Sequence, residues 1–190
     1  VLVQILLTGS GSELTDALQQ LRILATCPTH APVILETPNA IGALIFVLQG
    51  TQHESPSPLS VAARGSAADV LRFFTDPTIH SLLPPPAQRI DEYVQGVTDA
   101  GGVEAAVDLI VSLLQQQNPA DENTDALANC VHLLGNLALF KPSLSIERFD
   151  AMMNAVVQVM NRYEENTTLV RFCIATICNT CECHLEDIAL

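Results

Sequence analysis

Tryptophan is absent from this 190-residue chain, and aromatic residues make up only 4% of it. A core without large rings must be built from Leu, Ile, Val and Ala, side chains that let helices approach closely. Lysine occurs once, at Lys141, beside seven arginines and 21 acidic residues, giving a formal net charge of −13. Nucleic-acid binding depends on clustered cations that displace counterions from phosphate, and no such cluster exists here. An acidic surface suits a basic partner segment, or simply solubility. Long hydrophobic runs are also missing, although the mean hydropathy is +0.31. The longest nearly apolar stretch, residues 40–48, falls far short of the roughly 20 residues a membrane helix needs. No membrane span is expected. A basic n-region and a small-residue cleavage site are lacking at the start, so the six cysteines are expected as reduced thiols in a cytoplasmic setting, or a nuclear or cytoskeletal one. The apolar opening, residues 1–7, reads as a helix cut from a longer chain with an exposed flank.

What is present is helical periodicity, and no segment sustains the period-2 alternation of a half-buried strand. Two kinds of segment alternate. In the first, Val33-Ile-Leu-Glu-Thr-Pro-Asn-Ala-Ile-Gly-Ala-Leu-Ile-Phe-Val-Leu48 passes through a short turn into an apolar helix. Residues 97–114 repeat it through Gly101-Gly102, residues 146–160 are a looser copy, and residues 1–7 look like the tail of another. The second kind is an amphipathic helix, expected over residues 13–26, 59–75, 124–139 and 167–181. The first two contain Leu21-Arg-Ile-Leu24 and Leu71-Arg-Phe-Phe74. Plausible N-caps precede all four: Ser12, Ser57 or Ser60, Asn123 or Thr124, and Asn166 or Thr167. Residues 9–12 and 53–58 are connectors, and Pro84-Pro85-Pro86 ends any helix before it. Residues 76–99 read as an insertion with a short helix at 87–97.

The seven residues His132-Leu-Leu-Gly-Asn-Leu-Ala138 recur in altered form as Ala175-Thr-Ile-Cys-Asn-Thr-Cys181, which sets Asn136 and Asn179 43 positions apart. A period of about 40–47 residues belongs to armadillo and HEAT arrays. The chain resembles armadillo repeats on these motifs and on Ala100-Gly-Gly-Val103 with Ile110-Val-Ser-Leu-Leu114. His132 stands where that family often carries Trp, and Ala175 takes the same place in the later copy. In the two earlier units the place of the ladder Asn falls near Ala25 and Thr75. The resemblance spans most of the chain in pattern and is specific over residues 97–181.

It implies an all-α, right-handed armadillo-type α-solenoid of about three to four helical repeats, in one domain over residues 1–190. Partial first units are expected over 1–50, a second unit over 51–117 with the insertion at 76–99, a third over 118–163 and a last partial unit over 164–190. It further implies that third helices line a concave groove where ladder asparagines bond a partner's backbone. An Asn amide suits this because it both donates and accepts. The groove residues expected are Asn129, His132, Asn136, Phe172, Ala175 and Asn179. Against this stands a plainer reading, in which Asn136 and Asn179 bond neighbouring helices within the array and His132 completes a core hydrogen bond.

Cys178-Asn-Thr-Cys181 with Cys183-His184 has zinc-type donors. The adjacent Cys183 and His184 fit one tetrahedral ion poorly, and no second knuckle occurs, so packing is the preferred reading and no metal or cofactor is expected. The carboxylate pairs Asp91-Glu92, Asp121-Glu122 and Glu164-Glu165 flank loops or helix ends, where charge is usually solvated. No nucleophile triad, His-Glu-x-x-His helix or phosphate loop stands out. The expected function is therefore a protein-interaction scaffold, not an enzyme, with a basic or extended peptide segment as partner and membership of a larger complex. The alternatives are a structural component of a cytoskeletal or ciliary assembly, and an armadillo-type co-chaperone or small-GTPase regulator gripping a folded domain.

Overall fold

The computed structural model describes residues 1–27, 29–50, 59–81, 90–116, 121–140 and 145–188, with the side chains of 35, 121, 122 and 182–188 excepted. Eleven helices account for the secondary structure of these residues: α1 (Leu2–Thr8), α2 (Gly11–Ala25), α3 (Ala31–Leu35), α4 (Ala40–Gln49), α5 (Val61–Phe74), α6 (Pro77–Ser81), α7 (Ile90–Asp99), α8 (Gly102–Leu114), α9 (Asp121–Ala138), α10 (Ile146–Arg162) and α11 (Thr167–Ile188). The long amphipathic helices stand where their apolar spacing places them. Two expected caps are also in place: Ser60 Oγ accepts from the Ala63 amide at 3.2 Å, and Asn166 Oδ1 from the Leu169 amide at 3.1 Å.

Packing sorts the long helices into two layers. In one, α2, α5, α9 and α11 stack in succession; in the other, α1, α4, α8 and α10 do. Each helix of the second layer also packs on its partner in the first, and α3 and α7 lie where the chain enters the second layer. Those two turns share one backbone device. Asn39, before α4, has φ 64, and Gly101, before α8, has φ 87, a left-handed conformation that lets the chain reverse within one residue.

The core between the layers is aliphatic, as the scarcity of rings requires. Leu44, Leu48, Leu71, Leu109, Ile110, Leu113, Leu127 and Leu133 are fully buried, and the buried rings are Phe74 and Tyr93. Two arginines close the ends of second-layer helices. Arg64 Nε donates to the Leu48 carbonyl at 2.8 Å, and Arg162 donates to the carbonyls of Leu114 and, at 2.6 Å, Gln116. Cations there satisfy carbonyls left over at a helix C-terminus.

His80, 3% exposed, accepts burial for its position beneath α5. Its Nε2 donates to the Phe74 carbonyl at 2.7 Å, while Nδ1 meets no partner among the described residues. Desolvation holds its pKa below the ordinary 6.5, outweighing the opposing pull of the Phe74 carbonyl and Asp76. His132 shifts the same way, by desolvation and then by Arg72. The unfolded chain thus binds protons that the folded one refuses. Stability from these groups is fully present above about pH 6.5 and is lost as pH falls toward the depressed folded values. Chemical denaturation at pH 7.5 and 5.5 should show a less stable protein at 5.5, with a smaller difference for His80→Asn.

Candidate functional site

The first layer carries the candidate site, because its helices present one continuous row of side chains. Their mutual register is set by small residues and side-chain amides. A Cβ on Gly65 of α5 would stand 2.7 Å from the Ala126 Cβ of α9, and one on Gly135 of α9 would stand 2.7 Å from Thr176 Oγ1 of α11. Absence of a side chain at both points lets the backbones close up. Three residues beyond each contact, an asparagine crosses the gap. Asn129 Nδ2 donates to the Gly65 carbonyl at 3.2 Å, and Asn179 Nδ2 to the Gly135 carbonyl at 3.3 Å.

Asn136 makes a third crossing. Its Nδ2 donates to the Arg72 carbonyl at 2.9 Å and approaches Thr75 Oγ1 at 3.4 Å. The side chain is buried, at 5% exposure. Asn129 and Asn136 both reach back 64 positions, and Asn179 reaches back 44. The longer step accommodates α6, α7 and the chain between them. In each bridge the amide nitrogen donates to a carbonyl of the adjacent helix.

Beside the bridges lies an open cleft of about 500 Å³, bounded by α2, α5, α9 and α11. Of the expected groove residues, it brings together Asn129, His132 and Phe172. The His132 and Phe172 rings stack at 5.1 Å with 24° between planes, a wall of one aromatic and one imidazole. Ala175 is exposed and Asn179 half-buried; neither lines the cleft, and nor does Asn136.

Sequence reasoning missed the charged floor. Asp69, 4% exposed, holds two guanidinium groups: Arg72 Nε on Oδ1 at 2.5 Å and Arg22 Nε on Oδ2 at 2.7 Å. Arg72 also lies over the Phe73 ring at 4.2 Å and reaches His132 Nδ1 at 3.4 Å. One signal was available, since Leu21-Arg22 and Leu71-Arg72 occupy matching places in the two repeated motifs.

Among the described residues, no group of three or more His, Cys, Asp or Glu has metal-binding geometry. Cys178 and Cys181 are exposed free thiols, whereas the side chains of Cys183 and His184 lie outside the described residues. A different cysteine is distinctive. Cys27 Sγ sits 3.1 Å from both Thr29 Oγ1 and His30 Nδ1, and these hydrogen bonds, Thr29's first, lower its pKa to about 6. Burial raises Cys130 to about 12 and Cys173 to about 11. Since the thiolate is the reactive form, iodoacetamide at pH 7 should alkylate Cys27 well ahead of Cys130 and Cys173. Peptide mass mapping across pH should give a midpoint near 6 that rises in Thr29→Ala; a midpoint above 8 in the parent would contradict the geometry.

No protein-family model matches the chain, and no curated protein matches it. Solved structures do. A crystal structure of an engineered protein, a structural-genomics target, aligns over 94% of this chain with 20% identity and a TM-score of 0.61. A designed armadillo repeat protein aligns over 94% with 17% identity and a TM-score of 0.61. The chain spans 60% and 62% of the lengths of those two proteins. At these identities the likeness is one of fold: this is an all-α solenoid of armadillo type, the architecture of a helical repeat scaffold.

Proposed function

We propose that the protein is a non-catalytic interaction scaffold that binds a partner protein along the face formed by α2, α5, α9 and α11. The observation that carries this reading is the cleft beside the amide bridges. It is roomy, open and lined by groups of several kinds: the His132–Phe172 wall, Asn129, the hydroxyls of Ser66 and Thr168, and the arginines held by Asp69. The lining is mixed, with apolar surface from Phe172 and the alanines beside charged and hydrogen-bonding groups, which suits a polypeptide segment that carries both kinds of group. Asn136 and Asn179 then act from behind, by fixing the spacing of the helices that frame the pocket.

The acidic surface favours a basic or neutral segment, most simply an extended one. No helix among the described residues is long and apolar enough to cross a membrane, and the free thiols of Cys27, Cys130, Cys173, Cys178 and Cys181 fit a reducing, cytoplasmic setting. Two other readings remain in the same frame. A folded domain could be gripped instead, as a co-chaperone or GTPase regulator would do, or the solenoid could be built into a cytoskeletal or ciliary assembly by its ends. The cleft favours the extended segment.

Panning random dodecapeptides displayed on phage against the immobilised protein tests this. Enriched peptides should lose at least tenfold in affinity for Thr168→Trp, whose exposed position lets the new ring fill the cleft without disturbing the core. Their affinity should also fall between 50 and 500 mM salt, because screening weakens attraction to an acidic surface. Peptides indifferent to Thr168→Trp would reject the cleft as the binding surface.

A further inference from the structure

We propose that the end of the cleft formed by Arg22, Arg72 and His132 seats a carboxylate side chain of the bound segment, so that recognition there runs against the acidity of the whole chain. The proposal rests on the reading of this face as the partner surface and adds the chemistry of one contact. Two guanidinium groups converge on a single carboxylate, that of Asp69, whose two oxygens each take one Nε. A guanidinium has five N–H donors in a planar fork suited to a carboxylate. Arg22 meets Asp69 as an ion pair, Nε to Oδ2 at 2.7 Å, and its side chain is 59% exposed. Among the described residues, no protein acceptor takes its remaining donors. Arg72 is held more deeply, at 19% exposure, with its Nε on Asp69 and Nη1 toward His132.

The three charges in contact sum to one positive charge, and the Asp76 carboxylate, which is bonded by Thr78 and acts on His132 from outside the cleft lining, offsets part of it. The chain as a whole has a formal net charge of −13. Desolvation keeps His132 toward its neutral form, so the excess belongs to the arginines. The cleft's other carboxylate, Asp125, is seven residues before His132 on α9. At 1.5 Å per residue that is about 10 Å along the helix, which places it toward the opposite end. A side-chain carboxylate entering beside the Phe172–His132 wall would meet unspent donors in a position partly screened from water. There a charge-assisted hydrogen bond is worth more than at an open surface. Flanking residues of the segment face the acidic remainder of the protein, so they should be neutral or basic. The occupant is thus an isolated Asp or Glu in an otherwise uncharged or basic stretch.

The peptides enriched by panning supply the probe. They are synthesised with amidated C-termini, which leaves side chains as their only carboxylates, and titrated by fluorescence anisotropy. Each Asp or Glu is exchanged for Asn or Gln, and each peptide is measured against the parent protein and Arg22→Gln. Arg22 is exposed enough for that change to leave the fold intact, which circular dichroism checks. One carboxylate exchange should cost at least tenfold in Kd, Arg22→Gln should cost a similar factor, and the two together should cost little more than either alone, the sign of a direct pair. Three results would overturn the proposal: enriched peptides lacking acidic residues, exchanges that leave Kd within twofold, or losses that simply multiply in the double change. If any of these comes with binding that Thr168→Trp abolishes, only the carboxylate seat has failed. Indifference to Thr168→Trp would remove the partner surface itself.

Discussion

Gly65→Leu should lower stability by about 3 kcal/mol, the upper part of the range for overpacking a well-filled contact. On a protein of this size that corresponds to a fall in Tm of roughly 6–12 °C. The reason is local. A single carbon added at Gly65 would already stand 2.7 Å from the Ala126 Cβ and 2.9 Å from its Cα, and the second of these is backbone that cannot swing aside. The α5–α9 spacing would have to open, stretching the Asn129 and Asn136 bridges that cross the same interface. Gly42 provides the control. It lies inside α4 and is exposed, and an added Cβ there meets nothing within 4 Å. Gly42→Ala should therefore stabilise the protein by about 0.5–1 kcal/mol, the usual gain of alanine over glycine in a helix. Gly65→Ala should do the reverse. Thermal unfolding of the two alanine variants reads this opposition of sign directly; equal shifts would mean that the close approach of α5 and α9 does not limit packing.

Asp69→Ala should cost about 3 kcal/mol. Removing one member of a buried ion pair leaves an uncompensated charge and typically costs 3–5 kcal/mol. The lower figure applies because only Arg72 is held in place, while Arg22 is free to turn into water. Arg22→Gln removes the exposed half of the cluster and should cost no more than about 1 kcal/mol, as for other surface pairs. Urea denaturation of both variants distinguishes the roles of Asp69 and Arg22. A loss for Asp69→Ala no greater than that for Arg22→Gln would show that Asp69 is not the anchor of the charged floor.

The architecture was legible in the sequence because it rests on long-range periodicity. Apolar positions three and four apart placed α5, α9, α10 and α11 closely at their N-termini, and Ser60 and Asn166 marked two starts by chemistry that acts locally. The turns before α4 and α8 were visible too, since Asn39 and Gly101 are residues that tolerate a left-handed backbone. Register was harder. Asn179 bonds the carbonyl of Gly135 and Asn136 that of Arg72, so the α5 residue matching Asn136 is Phe73, two positions from the Thr75 that spacing suggested. Sequence offsets become unreliable when the connection between two repeats lengthens, as it does between α5 and α9.

Least legible was the cleft itself. His132 and Phe172 were expected on the same face, and they meet there. Asp69, in Ala67-Ala-Asp-Val70, looks like an ordinary polar position on an amphipathic helix, and nothing local says that it is buried. Its importance comes from Arg22, which the fold brings from the preceding first-layer helix. A charge cluster assembled across helices leaves no spacing to find, only the repeated Leu-Arg that becomes meaningful once the layers are stacked.

A partner recognised by the α2–α5–α9–α11 layer, as proposed, would contact the cleft first. Amide chemical-shift mapping with the tightest panned peptide tests this most directly. Perturbations should concentrate at Ser66, Asp69, Asn129, His132, Thr168 and Phe172, with α1, α4, α8 and α10 little changed. Perturbations centred on the second layer, or on either end of the stack, would contradict it.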